Sequence, residues 1–185
     1  MLIVNFDPFP ELNTERTFLR RITKRDAEEL FVLRTDERVL KYLGRDPATS
    51  VKEIHTFIKG VDAEIKLNKG IMWAIIMKDN GAMAGTTGYH NIVTQHYRAE
   101  VGYSLLPEYQ RKGLMHEVLN KVLEYGFKTM GLHTVEANID PDNEASMKLL
   151  EKNNFVREAH FKENFYYNGK FQDSFIYSLI NPFDK

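Results

Sequence analysis

The turn Gln110-Arg111-Lys112-Gly113 holds residue types that suit the binding of a phosphate group. It follows an apolar stretch that ends at Pro107, and an amphipathic stretch begins directly after it. The first turn of a helix leaves backbone N–H groups free and carries partial positive charge, so it attracts anions. Gly113 permits close approach of the backbone, and Arg111 and Lys112 add charge-assisted hydrogen bonds. An ordinary strand-to-helix connection with a solvated basic pair explains the same letters, because short glycine motifs match by chance.

Apolar spacing in the first half of the chain predicts the elements that support this turn. Residues 17–22 have the composition of a short strand, and a helix is predicted over 26–34. A second helix is predicted over 50–67, where a capping serine precedes apolar residues at helical spacing. Residues 42–47 form a loop by their glycine and proline content. Residues 71–77 are a nearly continuous apolar run, which is typical of a strand buried on both faces.

The middle of the chain predicts a hairpin, a further strand and a long helix. Asn80-Gly81 predicts a hairpin turn with positive φ at both residues, followed by a return strand over 82–91. Another strand, over 99–106, stops at the following proline. The helix over 113–129 has one apolar stripe and one polar face.

The last third of the chain predicts a strand, a short helix and a hairpin. Residues 133–140 alternate between polar and apolar side chains, as a strand does. Asn143 can cap a short helix that runs to residue 152. Residues 155–167 and 171–179 form a long hairpin around the next Asn-Gly pair. The order β-α-α-β-β-β-α-β-α-β-β predicts an α+β fold in three layers, a mixed sheet with helices on both faces.

Composition limits the classes of function. The 185 residues suit one domain over 1–185, with 1–14 as an N-terminal extension. The formal net charge of −1 argues against nucleic-acid binding through a broad basic surface. The absence of cysteine excludes disulfides and thiolate chemistry and fits a reducing cytoplasm. We expect no signal peptide, no membrane-spanning run of roughly 18 apolar residues, and no metal site among the scattered histidines.

With its elements in this order, the chain resembles the GNAT superfamily of acetyltransferases. The family's acetyl-CoA motif is Gln or Arg, two residues, Gly, one residue, then Gly or Ala, and Gln110 and Gly113 match it. Met115 stands where the family has its second small residue, and its bulk is expected to crowd the pyrophosphate turn. The family's usual Leu-Gly-Phe is here Asn153-Asn154-Phe155, a departure that we interpret as structural.

The resemblance is closest to the branch of RimJ/RimL-type ribosomal-protein N-terminal acetyltransferases, and it covers nearly the whole chain. The matching stretches are residues 17–20, 99–103, 107–115, 137–139 with 143–146, Phe155, and 167–170 with Asp173. The family fold implies a mixed, mostly antiparallel central sheet of about seven strands with helices on both faces. It also implies that the sheet is splayed between its fourth and fifth strands.

The resemblance implies how acetyl-CoA binds as a co-substrate. The residues expected around its pyrophosphate are Gln110, Arg111, Lys112, Gly113, Leu114 and Met115. The pantetheine arm is expected in the splay, bonded to backbone groups of Leu105 and Leu106. Asn138 and Asn143 are expected to meet its amides, and Ser146 to lie near the thioester sulfur.

Simpler roles are open for three of these residues. Asn143 acts as a helix cap whether or not it also meets pantetheine. Asn138 lies on the polar face of its strand, where plain solvent exposure explains it. Ser146 is a residue type that is common near helix starts.

The implied reaction, acetyl transfer from a thioester to a neutral amine, needs a base and a proton donor. Glu100 is the candidate base, because it lies on the expected central strand, where a carboxylate is costly unless paired or used. An ion pair with Arg98 or Arg20 is the alternative. Many relatives place a tyrosine in the helix after Asn143 as the acid. This helix has no tyrosine, so Ser146 is the available substitute.

The amine acceptor is left open by the sequence. A protein N-terminal α-amine, as on a ribosomal protein, needs less help from a base than a lysine ε-amine, because their pKa values are about 8 and about 10.4. A small amine such as a polyamine, amino acid or drug is the alternative, and a non-catalytic acyl-CoA-binding protein is a third interpretation. The acceptor cleft is expected among the loop 42–46, the second helix and the last hairpin. An acidic cleft favours a polyamine and an open groove a peptide; a homodimer is compatible with this branch, and no direct nucleic-acid or membrane partner is expected.

Overall fold

A computed structural model describes residues 1–183, in which eight strands form one sheet. The strand order across the sheet is β1-β2-β3-β4-β5-β6-β8-β7, and every neighbouring pair is antiparallel except β5 and β6. The strands are β1 Leu12–Asn13, β2 Thr17–Arg21, β3 Ile71–Met77, β4 Met83–Val93, β5 Arg98–Leu105, β6 Thr134–Ile139, β7 Val156–Tyr167 and β8 Lys170–Ile180. The mixed, mostly antiparallel sheet is therefore confirmed, with the short β1 as an additional strand.

Five α-helices accompany the sheet in the described residues. They are α1 Ala27–Leu33, α2 Glu37–Leu40, α3 Val51–Lys66, α4 Leu114–Lys128 and α5 Glu144–Lys152. The Ser50 side chain accepts a hydrogen bond from the Glu53 N–H at the start of α3, as the sequence predicted. The short α2 was not predicted, because a single turn has too few residues to show an apolar period.

The sheet opens between β5 and β6. Their parallel pairing extends only from Arg98 opposite Thr134 to Glu100 opposite Glu136. Beyond this point β5 continues to Leu105 without β6 as a partner. The splay expected between the fourth and fifth predicted strands is thus confirmed, displaced by one in number because β1 precedes them.

Two apolar cores cover the two faces of the sheet. β3 shows the division most clearly, because Trp73 and Ile75 belong to one core while Ala74 belongs to the other. Helices α4 and α5 close the first core, and α1 and α3 close the second. The continuous apolar run of β3 is therefore a strand buried on both faces, as predicted.

The N-terminal extension packs against the body of the protein. Leu2 and Phe6 are buried, and the indole Nε1 of Trp73 donates to the Pro10 carbonyl at 2.7 Å. The segment thereby covers one side of the first core. The contacts that attach it to the body of the protein are long-range, so local sequence patterns could not reveal them.

The two Asn-Gly turns differ from each other. At Asn168-Gly169 both residues have positive φ, 49° and 78°, as the sequence predicted. At Asn80-Gly81 only the glycine does, with φ of 72°, so the prediction for this turn was wrong. The Met77 N–H donates to the Ala82 carbonyl at 2.8 Å, which leaves a longer connection than a two-residue turn needs.

Candidate active site

The turn before α4 presents its backbone outward. Arg111 and Gly113 both have positive φ, 58° and 72°, and no side chain caps the helix. The N–H groups of its first turn therefore have no intrahelical partner. Arg111 and Lys112 are exposed beside them. Free N–H groups and two cations make the predicted turn a suitable cradle for a pyrophosphate.

Arg16, close to the N-terminus in sequence, bonds to this turn and to the helix after it. Its Nη1 donates to the Lys112 carbonyl at 2.9 Å, and its Nε lies 2.6 Å from Glu117 Oε2 on α4. Partial burial works to raise the pKa of Glu117, but hydrogen bonds from Thr14 and Arg16 hold that pKa below its usual value. Arg16 thus fixes the turn to the helix that follows it. The separation of 101 residues between Arg16 and Glu117 hid this contact from the sequence.

Gln110 is exposed, but its side chain amide bonds back to the protein. Its Nε2 donates to the Leu105 carbonyl at 2.8 Å and so ties the turn to the end of β5. The backbone groups of Leu106 already have hydrogen-bond partners as well. Its N–H donates to the Ala84 carbonyl, and its own carbonyl accepts from the Tyr109 N–H. Leu106 therefore does not offer free backbone to the splay, in contrast to the expectation.

The backbone that does face the splay comes from alternate residues of β5. In an antiparallel pair, hydrogen bonds to one neighbour involve every second residue. Because Leu106 bonds to the β4 side, the bonding groups of Val101, Tyr103 and Leu105 point toward β6 instead, where the Leu105 carbonyl already accepts from Gln110. An extended pantetheine arm could pair with them as a strand would. This unpaired edge fits the predicted cofactor.

Leu114 and Met115 point away from the turn. Both side chains are buried in the first core, with 3% and 8% of their surface exposed. The bulk of Met115 therefore lies inside the protein, and only its backbone faces the turn. The crowding expected from the departure at this motif position does not occur.

A phenol and a hydroxyl meet across the opening. The Tyr103 hydroxyl on β5 lies 2.7 Å from the buried hydroxyl of Ser146 on α5. Burial raises the pKa of Tyr103 to about 12. The phenol is consequently protonated at neutral pH and can donate a proton. The sequence offered Ser146 alone, and only the splay of the sheet brings a tyrosine from β5 to it.

The two asparagines differ in their surroundings. Asn143 caps α5, and its Oδ1 accepts from the Ser146 N–H at 3.1 Å. Its Nδ2 has no hydrogen bond to residues 1–183 and is free for a ligand. Asn138 is exposed on β6, and its backbone N–H donates to the Glu100 carboxylate. Both residues therefore border the opening, and their contact with pantetheine stays a prediction.

Glu100 is held by neutral partners and a histidine rather than by an arginine. Its Oε2 accepts from Asn91 Nδ2 at 2.9 Å, and its Oε1 lies 3.4 Å from His90 Nε2. Arg98 pairs with Glu136, and Arg20 with Asp26, so the ion pair considered for Glu100 does not form. Burial works to raise the pKa of Glu100, but hydrogen bonds from His90 and Asn91 outweigh it and lower the pKa below its usual value.

A cavity of about 530 Å³ lies between the loop after α2, helix α3 and strands β3 to β5. Its lining includes Leu43 and Arg45 from the loop and Phe57 and Glu64 from α3. Gly102, Tyr103 and Ser104 on β5 line it as well. The predicted acceptor loop and helix do border this cavity. The last hairpin does not line it but supports the loop from behind.

The part of the chain that the structure describes contains no candidate metal-binding cluster and no candidate membrane-spanning helix. Within residues 1–183, no group of three or more His, Cys, Asp or Glu side chains is arranged to hold a metal ion. None of the helices in this range is both long and apolar enough to cross a membrane.

The fold and the open strand edge define the class of protein. The family model "Acetyltransferase (GNAT) domain" matches residues 16–156 of this chain. The chain therefore belongs to the GNAT acetyltransferase family, as its sequence motifs predicted. It is an N-acetyltransferase that uses acetyl-CoA.

Individual relatives agree with this assignment. The chain is 37% identical over 174 residues to the uncharacterized N-acetyltransferase YoaA of Bacillus subtilis (strain 168), which covers 94% of this chain and 98% of that protein. It is 28% identical over 185 residues to the [ribosomal protein uS5]-alanine N-acetyltransferase of Escherichia coli (strain K12), covering 95% and 93% of the two chains.

A solved structure shares the fold. The spermidine N-acetyltransferase of Vibrio cholerae, in complex with CoA and spermine, matches with a TM-score of 0.80 and 23% identity. The match covers 90% of this chain and 96% of that one. Relatives therefore include enzymes named for a protein acceptor and for a small polyamine.

Proposed function

We propose that the chain transfers the acetyl group of acetyl-CoA to an α-amine, in first place the N-terminal amine of a protein such as a ribosomal protein. The observation that carries this proposal is the charge of the acceptor cavity. Among its described lining residues, Glu64 is the single carboxylate, against Arg45 and Lys69. A polyamine carries several positive charges and needs carboxylates to bind them. This cavity disfavours a polyamine.

The lowered pKa of Glu100 also favours an α-amine as the acceptor. A carboxylate with a lowered pKa is a weak base, so it serves best an amine that loses its proton easily. An α-amine has a pKa of about 8 and is partly neutral at physiological pH, whereas a lysine or polyamine amine at about 10.4 is not. Glu100 also contacts His90 and Asn91, which both line the cavity.

The reaction needs two proton transfers, and different residues carry out each of them. Bound acetyl-CoA supplies an acetyl group activated as a thioester. Glu100 takes the proton that the amine loses on attack, through a water or through His90. On the other side of the reacting carbonyl, the Tyr103–Ser146 pair donates a proton to the departing sulfur. A direct transfer in a ternary complex needs no covalent enzyme intermediate, which suits a chain without cysteine.

A small amine is the second candidate acceptor. The cavity volume of about 530 Å³ lies within the range of small-molecule sites and is modest for a long peptide. A free amino acid or a similar compound with one amine would fit its charge. With a protein acceptor, only the first residues enter the cavity. A ribosomal acceptor further implies a cytoplasmic location.

The test is a thiol-release assay with acetyl-CoA and a panel of acceptors. The panel contains peptides that begin with Ser, Ala or Thr, the same peptides with a blocked N-terminus, free amino acids, and spermidine. We expect turnover of at least one peptide with a free N-terminus and none of its blocked form. Faster turnover of spermidine than of any α-amine would contradict the proposal.

A further inference from the structure

We propose that the acceptor of this enzyme carries a carboxylate close to its α-amine, and that Arg45 in the acceptor cavity binds this carboxylate. The inference rests on the proposed α-amine acceptor and names its chemical class more narrowly. An acidic side chain near the N-terminus of a protein has this chemistry. The α-carboxylate of a free amino acid has it as well.

Arg45 differs from several other arginines of the chain. Arg16, Arg20 and Arg98 each have a carboxylate within 3.0 Å. Within residues 1–183, no carboxylate lies at ion-pair distance from Arg45. Its Nε is fully buried and has no hydrogen-bond partner. Arg45 as a whole is half-buried, but a guanidinium nitrogen that is buried without a partner is costly, so a ligand that binds from outside is a natural partner for it.

A second arginine strengthens the positive charge around Arg45. Arg34 is half-buried, and its guanidinium carbon lies 4.2 Å from the centroid of the Phe57 ring, which lines the cavity. Burial, together with repulsion from Arg34, lowers the pKa of Arg45 to about 10. Arg45 is still charged at neutral pH. Arg34 has Glu53 as an electrostatic partner, whereas Arg45 has no carboxylate near it in the described range, so Arg45 favours an anionic ligand.

The loop holds Arg45 in place and keeps its own carboxylate away from it. The Tyr167 hydroxyl on the last hairpin donates to Asp46 Oδ1 at 3.1 Å. Gly44 has a φ of 53°, and a side chain there would collide with the ring of Phe165 on the same hairpin. The residues on both sides of Arg45 therefore lie against the last hairpin, which supports the loop backbone before any ligand binds. A preorganised cation loses less entropy on binding.

The cavity connects this cation to the reaction centre. Arg45 lines the same cavity as Gly102, Tyr103 and Ser104 on β5. An acceptor can thus place its amine toward Tyr103 while its carboxylate meets Arg45. Since the guanidinium can bind both carboxylate oxygens at once, the ligand is oriented as well as bound.

The experiment compares acceptors that differ only in this charge. The peptide pair is Ala-Glu and Ala-Gln at the N-terminus of otherwise identical peptides, and the small-molecule pair is alanine and alaninamide. We expect wild-type kcat/KM to favour the acidic member of one pair by about tenfold or more. In Arg45→Gln the ratio should fall toward one, Arg45→Lys should keep part of it, and Arg25→Gln, on an exposed turn, should keep all of it. The pair that shows the ratio identifies the source of the carboxylate.

Binding without turnover separates this inference from the proposed function. Calorimetry on the CoA-saturated protein measures binding of the N-acetylated forms of the same compounds. Tighter binding of an acidic product, lost in Arg45→Gln, supports the carboxylate site even if no α-amine is acetylated. Equal binding and equal turnover of acidic and neutral members by the wild-type protein would overturn the inference, whatever the folding state of the variants.

Discussion

The cofactor side and the acceptor side of this enzyme are built in different ways. On the cofactor side, ligand-binding groups belong mainly to the backbone, in the first turn of α4 and along the unpaired edge of β5. On the acceptor side, the groups are side chains from a loop and α3, with Arg45 foremost. The fold itself therefore creates the cofactor site, whereas individual residues create the acceptor site.

This difference explains why one ligand can be assigned and the other has to be proposed. Backbone N–H groups need a turn of defined geometry, and such a turn leaves a motif such as Gln110 to Gly113 in the sequence. Side chains on a loop can change without affecting the fold. The acceptor of a GNAT enzyme must accordingly be inferred from charge and shape at this site.

The cofactor side and the acceptor side are also attached to the sheet by different ion pairs. The largest effect of a substitution, a loss of folding stability, is expected for the ion pair on the acceptor side. The Asp26 carboxylate before α1 is buried and accepts from Arg20 at 2.6 Å and from the Thr23 N–H at 2.6 Å. Asp26→Asn should lower the free energy of unfolding by about 3 kcal/mol, or roughly 100-fold in the equilibrium constant, because Arg20 is left without its partner. Urea unfolding measures this change.

The pH dependence of the same pair has a definite sign. Burial works to raise the pKa of Asp26, but hydrogen bonds from Arg20 and Thr23 hold it below its ordinary value. Its contribution is therefore complete above about pH 4 and is lost as the pH falls through the lowered pKa. Asp62→Asn, which breaks a more exposed pair with Arg21, is the control and should cost only about 0.5 kcal/mol. Equal costs for both variants would contradict the assigned role of Asp26.

The next largest effect, on kcat, is expected for Glu100, the candidate base between the cofactor side and the acceptor side. Glu100→Gln should lower kcat by about 100-fold, the lower end for a general base, because its weakly basic carboxylate serves an acceptor that is partly neutral already. The affinity for CoA should not change. The control is Glu136→Gln, since Glu136 lies opposite Glu100 on β6 but pairs with Arg98. Unchanged turnover at pH 7 in Glu100→Gln would remove Glu100 as the base.

The proton donor should show a smaller effect. Tyr103→Phe should lower kcat by about tenfold, because Ser146 alone would remain to protonate the departing sulfur. The KM for acetyl-CoA should stay within about twofold. Tyr125→Phe is the matched control, since Tyr125 is a buried phenol packed on Trp73 in the first core. Steady-state kinetics measure kcat for both variants. An equal loss of kcat in both would mean that Tyr103 has a structural role only.

The smallest effect is expected where the cofactor side relies on its backbone. Arg16→Gln removes the brace on the turn but leaves the backbone N–H groups in place. The KM for acetyl-CoA should rise by about threefold, with an unchanged KM for the acceptor. Arg21→Gln, which breaks a pair with Asp62, is the control and should leave the KM for acetyl-CoA unchanged. A rise of about 100-fold or more would show that side chains, and not the backbone, hold the cofactor.

Elements with a strong local signal were predicted well from the sequence. Helices α3 and α4 have long apolar stripes, and Ser50 caps α3 as expected. The apolar run of β3 indicated a strand buried on both faces. By contrast, the single turn of α2 and the two-residue β1 are too short to give a pattern.

The candidate site was predicted where it depends on the order of elements and missed where it depends on distant contacts. The splay and the α4 turn follow from the family motif around Gln110. The pairing of Tyr103 with Ser146 spans 43 residues and arises from the splay itself. The hydrogen bond from Tyr167 to Asp46 beside Arg45 spans 121 residues, which no local spacing encodes.

The central claim, that the acceptor nitrogen is an α-amine, is tested most directly by locating the acetyl group on a peptide with two kinds of amine. A peptide that begins Ala-Glu and contains an internal lysine is incubated with the enzyme and acetyl-CoA, and the product is fragmented in a mass spectrometer. The account predicts an acetyl group on the N-terminal nitrogen and none on the lysine. Acetylation of the lysine, with the N-terminus left free, would contradict it.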